Sequence, residues 1–232
     1  LCGSFFRRDG ARVTGQSDVA AVDPAASFVP RGFYQRVGKR LFDTLAASVG
    51  LLLISPLFGL LALAIRLESP GPILYRSTRV GRRATHFEFL NFRTMVLHAE
   101  QMKKDLEHLN EMDGPVFKIT DDPRVTRIGK FIRATSLDEL PQLLNVLKGE
   151  MSLVGPRPEL PWLVEQYEPW QWQRFAVPQG ITGWWQVNGR SDNLMHLHTD
   201  QDLYYIQNYS LWLDLRILWR TINVVLRGKG AY

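Results

Sequence analysis

From Leu41 to Leu67 the chain is almost unbroken apolar sequence, LFDTLAASVGLLLISPLFGLLALAIRL, longer than the roughly 20 residues a helix needs to cross a bilayer. Ser55-Pro56 stands in its middle. Proline removes one backbone donor and crowds the preceding turn, so the pattern predicts a helix that bends or breaks there, with the Ser55 hydroxyl available to a freed backbone group. Basic residues flank both ends: Arg31, Arg36, Lys39 and Arg40 before, and Arg66, Arg76, Arg79, Arg82 and Arg83 after. A spanning helix keeps its positive flank on one side. A helix that enters the membrane, breaks at Ser55-Pro56 and leaves on the same side accommodates both flanks. A kinked span stays open, and a buried helix of a soluble domain is a third reading.

Beyond Pro70-Gly71-Pro72 the residues ILYRSTRV and HFEFLNFRTM alternate about Gly81-Arg82-Arg83, which predicts a short hairpin. Residues 95–112 carry a charged helical pattern with Met95, Met102, Leu106, Leu109 and Met112 on its apolar side. From Leu140 the spacing Leu140, Leu143, Leu144, Leu147 predicts an amphipathic helix that Gly149 stops. Near the end, residues 211–226 place Trp212, Leu215, Leu218, Trp219, Ile222 and Val225 on one side, with Arg216 and Arg220 on others, which suits a helix in the headgroup plane or one covering a core. The class expected is an α-rich fold with a small β-hairpin.

Composition narrows the partners. The chain has 232 residues and a formal charge of +5, which points to an anionic partner without separating nucleic acid, lipid and nucleotide. Its one cysteine, Cys2, excludes an intrachain disulfide. The first 30 residues are rich in Ala, Gly, Ser, Asp and Pro. The expected organisation is therefore a linker or disordered lead over 1–35, a membrane helix over 36–69 and a catalytic region over 70–232. Seven tryptophans, all in the last third, suit an interfacial belt. No zinc-finger spacing, P-loop, dinucleotide fingerprint or HExxH occurs, and His196 and His198 form an isolated pair.

The chemistry concentrates in Ser136-Leu137-Asp138-Glu139-Leu140-Pro141-Gln142. Ser136 and Glu139 fit a capping box, while Pro141 in a first turn makes Asp138 the alternative cap. Either way a helix N-terminus favours ionised carboxylates, and an anionic pair is expected at neutral pH, able to hold a divalent cation or attack phosphorus. Downstream, Gly155-Pro156-Arg157-Pro158 fixes one arginine between prolines, and a guanidinium fork suits phosphate oxygens. Arg124, Arg127, Lys130 and Arg133 recur at helical spacing before the acids, and together with Arg157 they read as a metal-and-phosphate site.

The run from Arg133 through Ser136–Gln142 to Gly155-Pro156-Arg157-Pro158 resembles the bacterial sugar transferase family, over about Lys39 to Tyr232. The resemblance implies a monotopic membrane enzyme with one re-entrant helix broken at a Ser-Pro pair and interfacial amphipathic helices, at the cytoplasmic face of the bacterial inner membrane. It implies transfer of a sugar 1-phosphate from a UDP-sugar to undecaprenyl phosphate through an aspartyl intermediate on Asp138. Magnesium would be held by Glu139 with Asp138, and Arg133, Arg157, Arg190 and Arg93 would bind phosphate or substrate. Membrane lipids are implied as partners, nucleic acid is not, and a homo-oligomer is left open. Two positions depart from the family pattern: Asn91 stands where a lysine is usual, and Pro178-Gln179 where a basic residue and proline usually precede Gly180. A non-catalytic membrane scaffold that binds anionic lipid or polysaccharide, and a soluble nucleotide-binding domain, are the alternatives.

Overall fold

A computed structural model describes residues 32–111, 117, 119–189 and 199–226. The lead expected over 1–35 lies mostly outside them, and its described end is already helical: a π-helical turn, Tyr34–Gly38, runs into α1, Lys39–Glu68. The expected break at Ser55-Pro56 does not interrupt α1, which continues through Pro56. The proline leaves the Leu52 carbonyl, four residues back, without its usual donor, and Ser55 Oγ donates to that carbonyl at 2.9 Å. One turn repairs itself, and the helix goes on.

What distinguishes α1 is where it is fastened. At its first half Ala47 is fully buried among Phe89, Val146 and Met151. At its second half Leu61 and Ile65 are buried with Phe92 and Ile132, and the Phe58 and Phe92 ring centroids lie 4.6 Å apart. Between these contacts Leu52, Leu53 and Leu60 are 75%, 74% and 63% exposed. Both ends therefore rest on one folded body, and the middle faces outward.

Polar ties reinforce each end. Lys39 is buried between two carboxylates, 3.3 Å from Asp43 Oδ1 and 2.8 Å from Asp214 Oδ2. Tyr34 and Tyr205 donate their hydroxyls to the same Asp214, and Asp43 accepts from the Leu153 backbone at 3.1 Å. At the far end Arg93 donates to the Ser69 and Pro70 carbonyls at 2.7 and 2.8 Å, and the Glu68 carboxylate accepts from the Arg127 and Ile128 backbone N–H groups that open the next helix.

The hairpin forms as the alternation predicts. Strands β1 (Leu74–Val80) and β2 (His86–Phe92) pair antiparallel, Leu74 opposite Phe92 and Val80 opposite His86. The helical pattern over 95–112 does not become an α-helix: its described residues make only short 3₁₀ turns at Gln101–Lys103 and Glu107–Leu109. On its apolar side Met102 and Leu109 stay exposed and Leu106 is only half-buried, too little burial to sustain a short helix. Met95 instead bridges Val125.

Helix α2 (Arg127–Ala134) is capped by Thr126, whose hydroxyl accepts from Gly129 N at 2.9 Å. Helix α3 (Gln142–Lys148) starts later than its leucine stripe suggests. Its fully buried residues are Gln142, Asn145 and Val146, with the leucines half-buried, and it ends at Gly149 with φ 87°. A second sheet, absent from the expectation, pairs β3 (Ser152–Val154) in parallel with β4 (Gly180–Thr182). Here the backbones approach so closely that a Cβ on Gly180 would lie 2.1 Å from Gly155 N, which requires glycine and seats the Gly155–Pro158 loop on β4.

Helices α4 (Pro161–Val164), α5 (Trp184–Gly189), α6 (Thr199–Asn208) and α7 (Leu211–Leu226) complete the described body. In α7 the core side is Leu213, Asp214 and Ile217, and the Trp212, Leu215, Trp219, Ile222 stripe faces out. The tryptophans do not form one belt: Trp185 is core, while Trp212 and Trp219 are 83% and 69% exposed.

Candidate active site

Neither form of N-cap expected for the acidic pair is present. Ser136 takes the left-handed conformation at φ 56°, ψ 20° and caps nothing through its side chain, a sharp turn at the end of α2 that lifts Leu137–Glu139 into a 3₁₀ turn ahead of α3. The carboxylates thus precede the helix instead of capping it. Their electrostatics change accordingly. Burial pushes the Asp138 carboxyl up to about 6, the charge of Glu139 adds to that, and Arg157 and Arg133 oppose it. Asp138 remains mostly ionised at neutral pH, but against its surroundings.

The two acids have different partners. Glu139 Oε1 accepts from Arg157 Nη2 at 2.7 Å. Asp138 Oδ2 accepts from the neutral amide of Asn91 at 3.2 Å, and Asn91 Oδ1 in turn accepts from Gln142 at 3.0 Å. Gln142 is fully buried, and the next turn of α3 is stitched to β2 by Asn145, which accepts from Leu90 N at 3.1 Å and donates to the Glu88 carbonyl at 2.6 Å. The hairpin edge therefore carries Asn91 to the acid. Asn91, one of the two departures from the family pattern, puts an amide on Asp138 where a lysine would put a charge.

Of the four basic residues at helical spacing, Arg133 faces the pair: it donates through Nε to Thr94 Oγ1 at 2.8 Å and feels the charge of Asp138. Arg124 is buried on Asp122, and Lys130 pairs at the surface with Asp121. Arg93 sits with its fork on Ser69 and Pro70 at the end of α1. Arg190, His196 and His198 lie outside the described residues. Gln179, the other departure, is fully buried and donates to the Arg174 and Val177 carbonyls, each at 3.0 Å.

Arg157 is itself held in place. The buried Arg174 donates to the Arg157 carbonyl at 3.0 Å and pairs with Asp202 at 2.7 Å. A mostly apolar cavity of about 210 Å³ opens beside Glu139, walled by Leu143, Leu153, Ile181, Val187 and Leu218. No group of three or more His, Cys, Asp or Glu that could hold a metal occurs among the described residues. The adjacent carboxylates would suit a magnesium ion of the kind that takes one or two carboxylates and fills its shell from substrate phosphate and water, whose charge would offset the burial and the like charge of Glu139 that raise Asp138.

The model of the family described as "Bacterial sugar transferase" matches residues 34–228. This chain belongs to the bacterial sugar transferase family. Among its relatives in that family, galactosyl transferase CpsE of Streptococcus agalactiae is 46% identical over 84% of this chain and 43% of its own length. The UDP-glucose:undecaprenyl-phosphate glucose-1-phosphate transferase of Caulobacter vibrioides is 43% identical over 84% of this chain and 72% of its own. The undecaprenyl-phosphate galactose phosphotransferase of Salmonella typhimurium is 42% identical over 84% and 41%. The chain thus spans less than half of the first and third of these bacterial sugar transferases.

Because the folded value for Asp138 lies above the unfolded one, its ionisation destabilises the fold at neutral pH, and protonation relieves that cost as pH falls through about 6. A carboxyl titration followed by NMR should place its midpoint near 6, and Asn91→Lys should lower it by about one unit or more. A wild-type midpoint below 4 would contradict the burial argument.

Proposed function

We propose that this chain is the catalytic unit of a phosphoglycosyl transferase, moving a sugar 1-phosphate from a UDP-sugar to undecaprenyl phosphate, releasing UMP and starting exopolysaccharide, capsule or O-antigen assembly. Family membership and the names of the relatives support the reaction class. The observation that carries the reading is the division between neighbouring carboxylates. Glu139 is bonded to a guanidinium, whereas Asp138 is oriented by an amide that leaves its charge unneutralised. An oriented, partly desolvated carboxylate suits a nucleophile.

In the first half-reaction an Asp138 oxygen bonds to the sugar-bearing phosphorus, the bond from that phosphorus to the bridging oxygen breaks, and the electron pair leaves with UMP. In the second, a phosphate oxygen of undecaprenyl phosphate bonds to the same phosphorus, the bond to Asp138 breaks, and the carboxylate is restored. The product is a polyprenol diphosphate sugar. Arg157 and Arg133 offset charge on the phosphoryl oxygens and orient them. Glu139 with Asp138 would hold a magnesium ion, which would supply further neutralisation of the diphosphate.

The placement of α1 supports re-entry at the membrane. A helix with both ends fastened to one body leaves neither end for the far side, so the exposed middle around Ser55-Pro56 would dip into the lipid from the cytoplasmic face. The outward stripe of α7, Trp212 to Ile222, suits the headgroup region. The apolar cavity beside Glu139 suits a lipid acceptor better than a polar one.

Asp138→Asn should keep the fold and lower transfer of radiolabelled sugar phosphate to undecaprenyl phosphate by roughly 10⁴-fold or more. Transfer at the wild-type rate would favour a non-catalytic scaffold. Single cysteines at Arg36 and Arg76 should both react with an impermeant reagent from the cytoplasmic side alone, while labelling from opposite sides would establish a spanning helix.

A further inference from the structure

Arg79 lies near the end of β1, where a hairpin arginine normally extends into solvent. Here the strand end is tied to the loop that carries Arg157: Val80 N donates to the Glu159 carbonyl at 2.8 Å, and the two residues form a bridge. The tie turns Arg79 inward. Its guanidinium carbon lies 5.2 Å from the centroid of the Phe89 ring, and that of Arg157 lies 6.0 Å from the same ring. Two cations therefore share one aromatic ring at the edge of the acidic pair.

Both have donors with nothing to bind. Arg79 Nε and Arg157 Nη1 are buried and lack a hydrogen-bond partner, although Arg157 gives Nη2 to Glu139. The nearby Glu159 carboxylate does not supply the need. It is occupied by Leu160 N at 3.1 Å, the Tyr167 hydroxyl at 3.3 Å and Arg174 at 3.6 Å. Burial and the charge of Arg157 together depress Arg79 to about 10, so holding the two cations beside one ring with buried donors unfilled is unfavourable. An anion with several oxygens would satisfy both donors and remove the repulsion.

The order of the groups indicates which anion. Arg157 donates directly to Glu139 at 2.7 Å, whereas Arg79 bonds to neither acid and reaches the site only across the Phe89 ring, so Arg79 stands farther from the acidic pair than Arg157 does. We propose that Arg79 is a second phosphate ligand, which with Arg157 clamps the phosphoryl group that departs with the nucleoside, while Asp138 faces the phosphoryl that carries the sugar. This inference rests on the transferase reading for the identity of the ligand. The unfilled donors do not depend on it.

The test uses UMP and whichever of UDP-galactose, UDP-glucose and UDP-N-acetylgalactosamine the wild type turns over. Arg79→Gln should raise the donor KM and the inhibition constant for UMP together by about 10- to 100-fold, the range of one or two charge-assisted hydrogen bonds. The apparent affinity for undecaprenyl phosphate should change less than about twofold, and Arg79→Lys, which restores charge without the fork, should fall between. If the Gln variant does not fold, UMP inhibition of the Lys variant carries the test. An inhibition constant for UMP within twofold of wild type overturns the clamp. So does a loss that tracks the melting temperature in both variants, which would make Arg79 a packing residue. Direct titration with UMP separates the two claims: a wild type that binds UMP, loses it on Arg79→Gln, yet transfers no sugar phosphate retains the clamp and refutes the transferase reading.

Discussion

A lysine buried between two aspartates holds this molecule in its working form. Lys39, at the start of the apolar helix, reaches Asp43 on its own helix and Asp214 on α7, and Tyr34 and Tyr205 complete the hydrogen bonding of Asp214. Three charges removed from water are costly individually, and removing one partner from such a group typically costs about 3–5 kcal/mol. The gain is positional. An apolar helix has no directional preference for a soluble body, whereas a buried ion network fixes one end of it to one place. With Arg93 and Glu68 fixing the other end, the exposed leucines of α1 stand in a set relation to the 3₁₀ turn that bears the acids.

That turn works against its own electrostatics. Burial and the like charge of Glu139 raise Asp138, and two guanidiniums lie against the Phe89 ring with donors unfilled. Each feature is unfavourable by itself, and on the proposed function a bound diphosphate with its counter-ion would relieve it. The scaffold sustains the strain through buried polar residues: Gln142 and Asn145 from α3, and Arg174 behind Arg157. Their hydrogen bonds specify the geometry, although Gln142 Oε1 and Arg174 Nε stay buried without partners.

What the sequence reveals follows from how each element is stabilised. The apolar helix, the hairpin and α7 have long periodic patterns and form where those patterns lie. The pattern over 95–112 is equally periodic and fails, because a period describes a face and cannot supply a surface to cover it. β3 and β4 are three residues each, too short for alternation, and depend on Gly155 and Gly180 to approach. The acidic pair is legible as chemistry, but its environment is not: burial and the left-handed Ser136 replace the helix terminus that the S-x-x-E spacing suggests. Arg79 and Arg93 are both hairpin arginines in sequence. Only the tie between Val80 and Glu159 sends one toward the site, and only the end of α1 claims the other.

On the proposed mechanism Asp138 holds the phosphosugar between two separate visits. Intact-protein mass spectrometry after incubation with donor and no lipid acceptor reads this directly. The account predicts a mass increase of one sugar phosphate, localised to Asp138 and discharged on adding undecaprenyl phosphate. A preparation that turns over with both substrates present, yet gains no mass with donor alone, would contradict it.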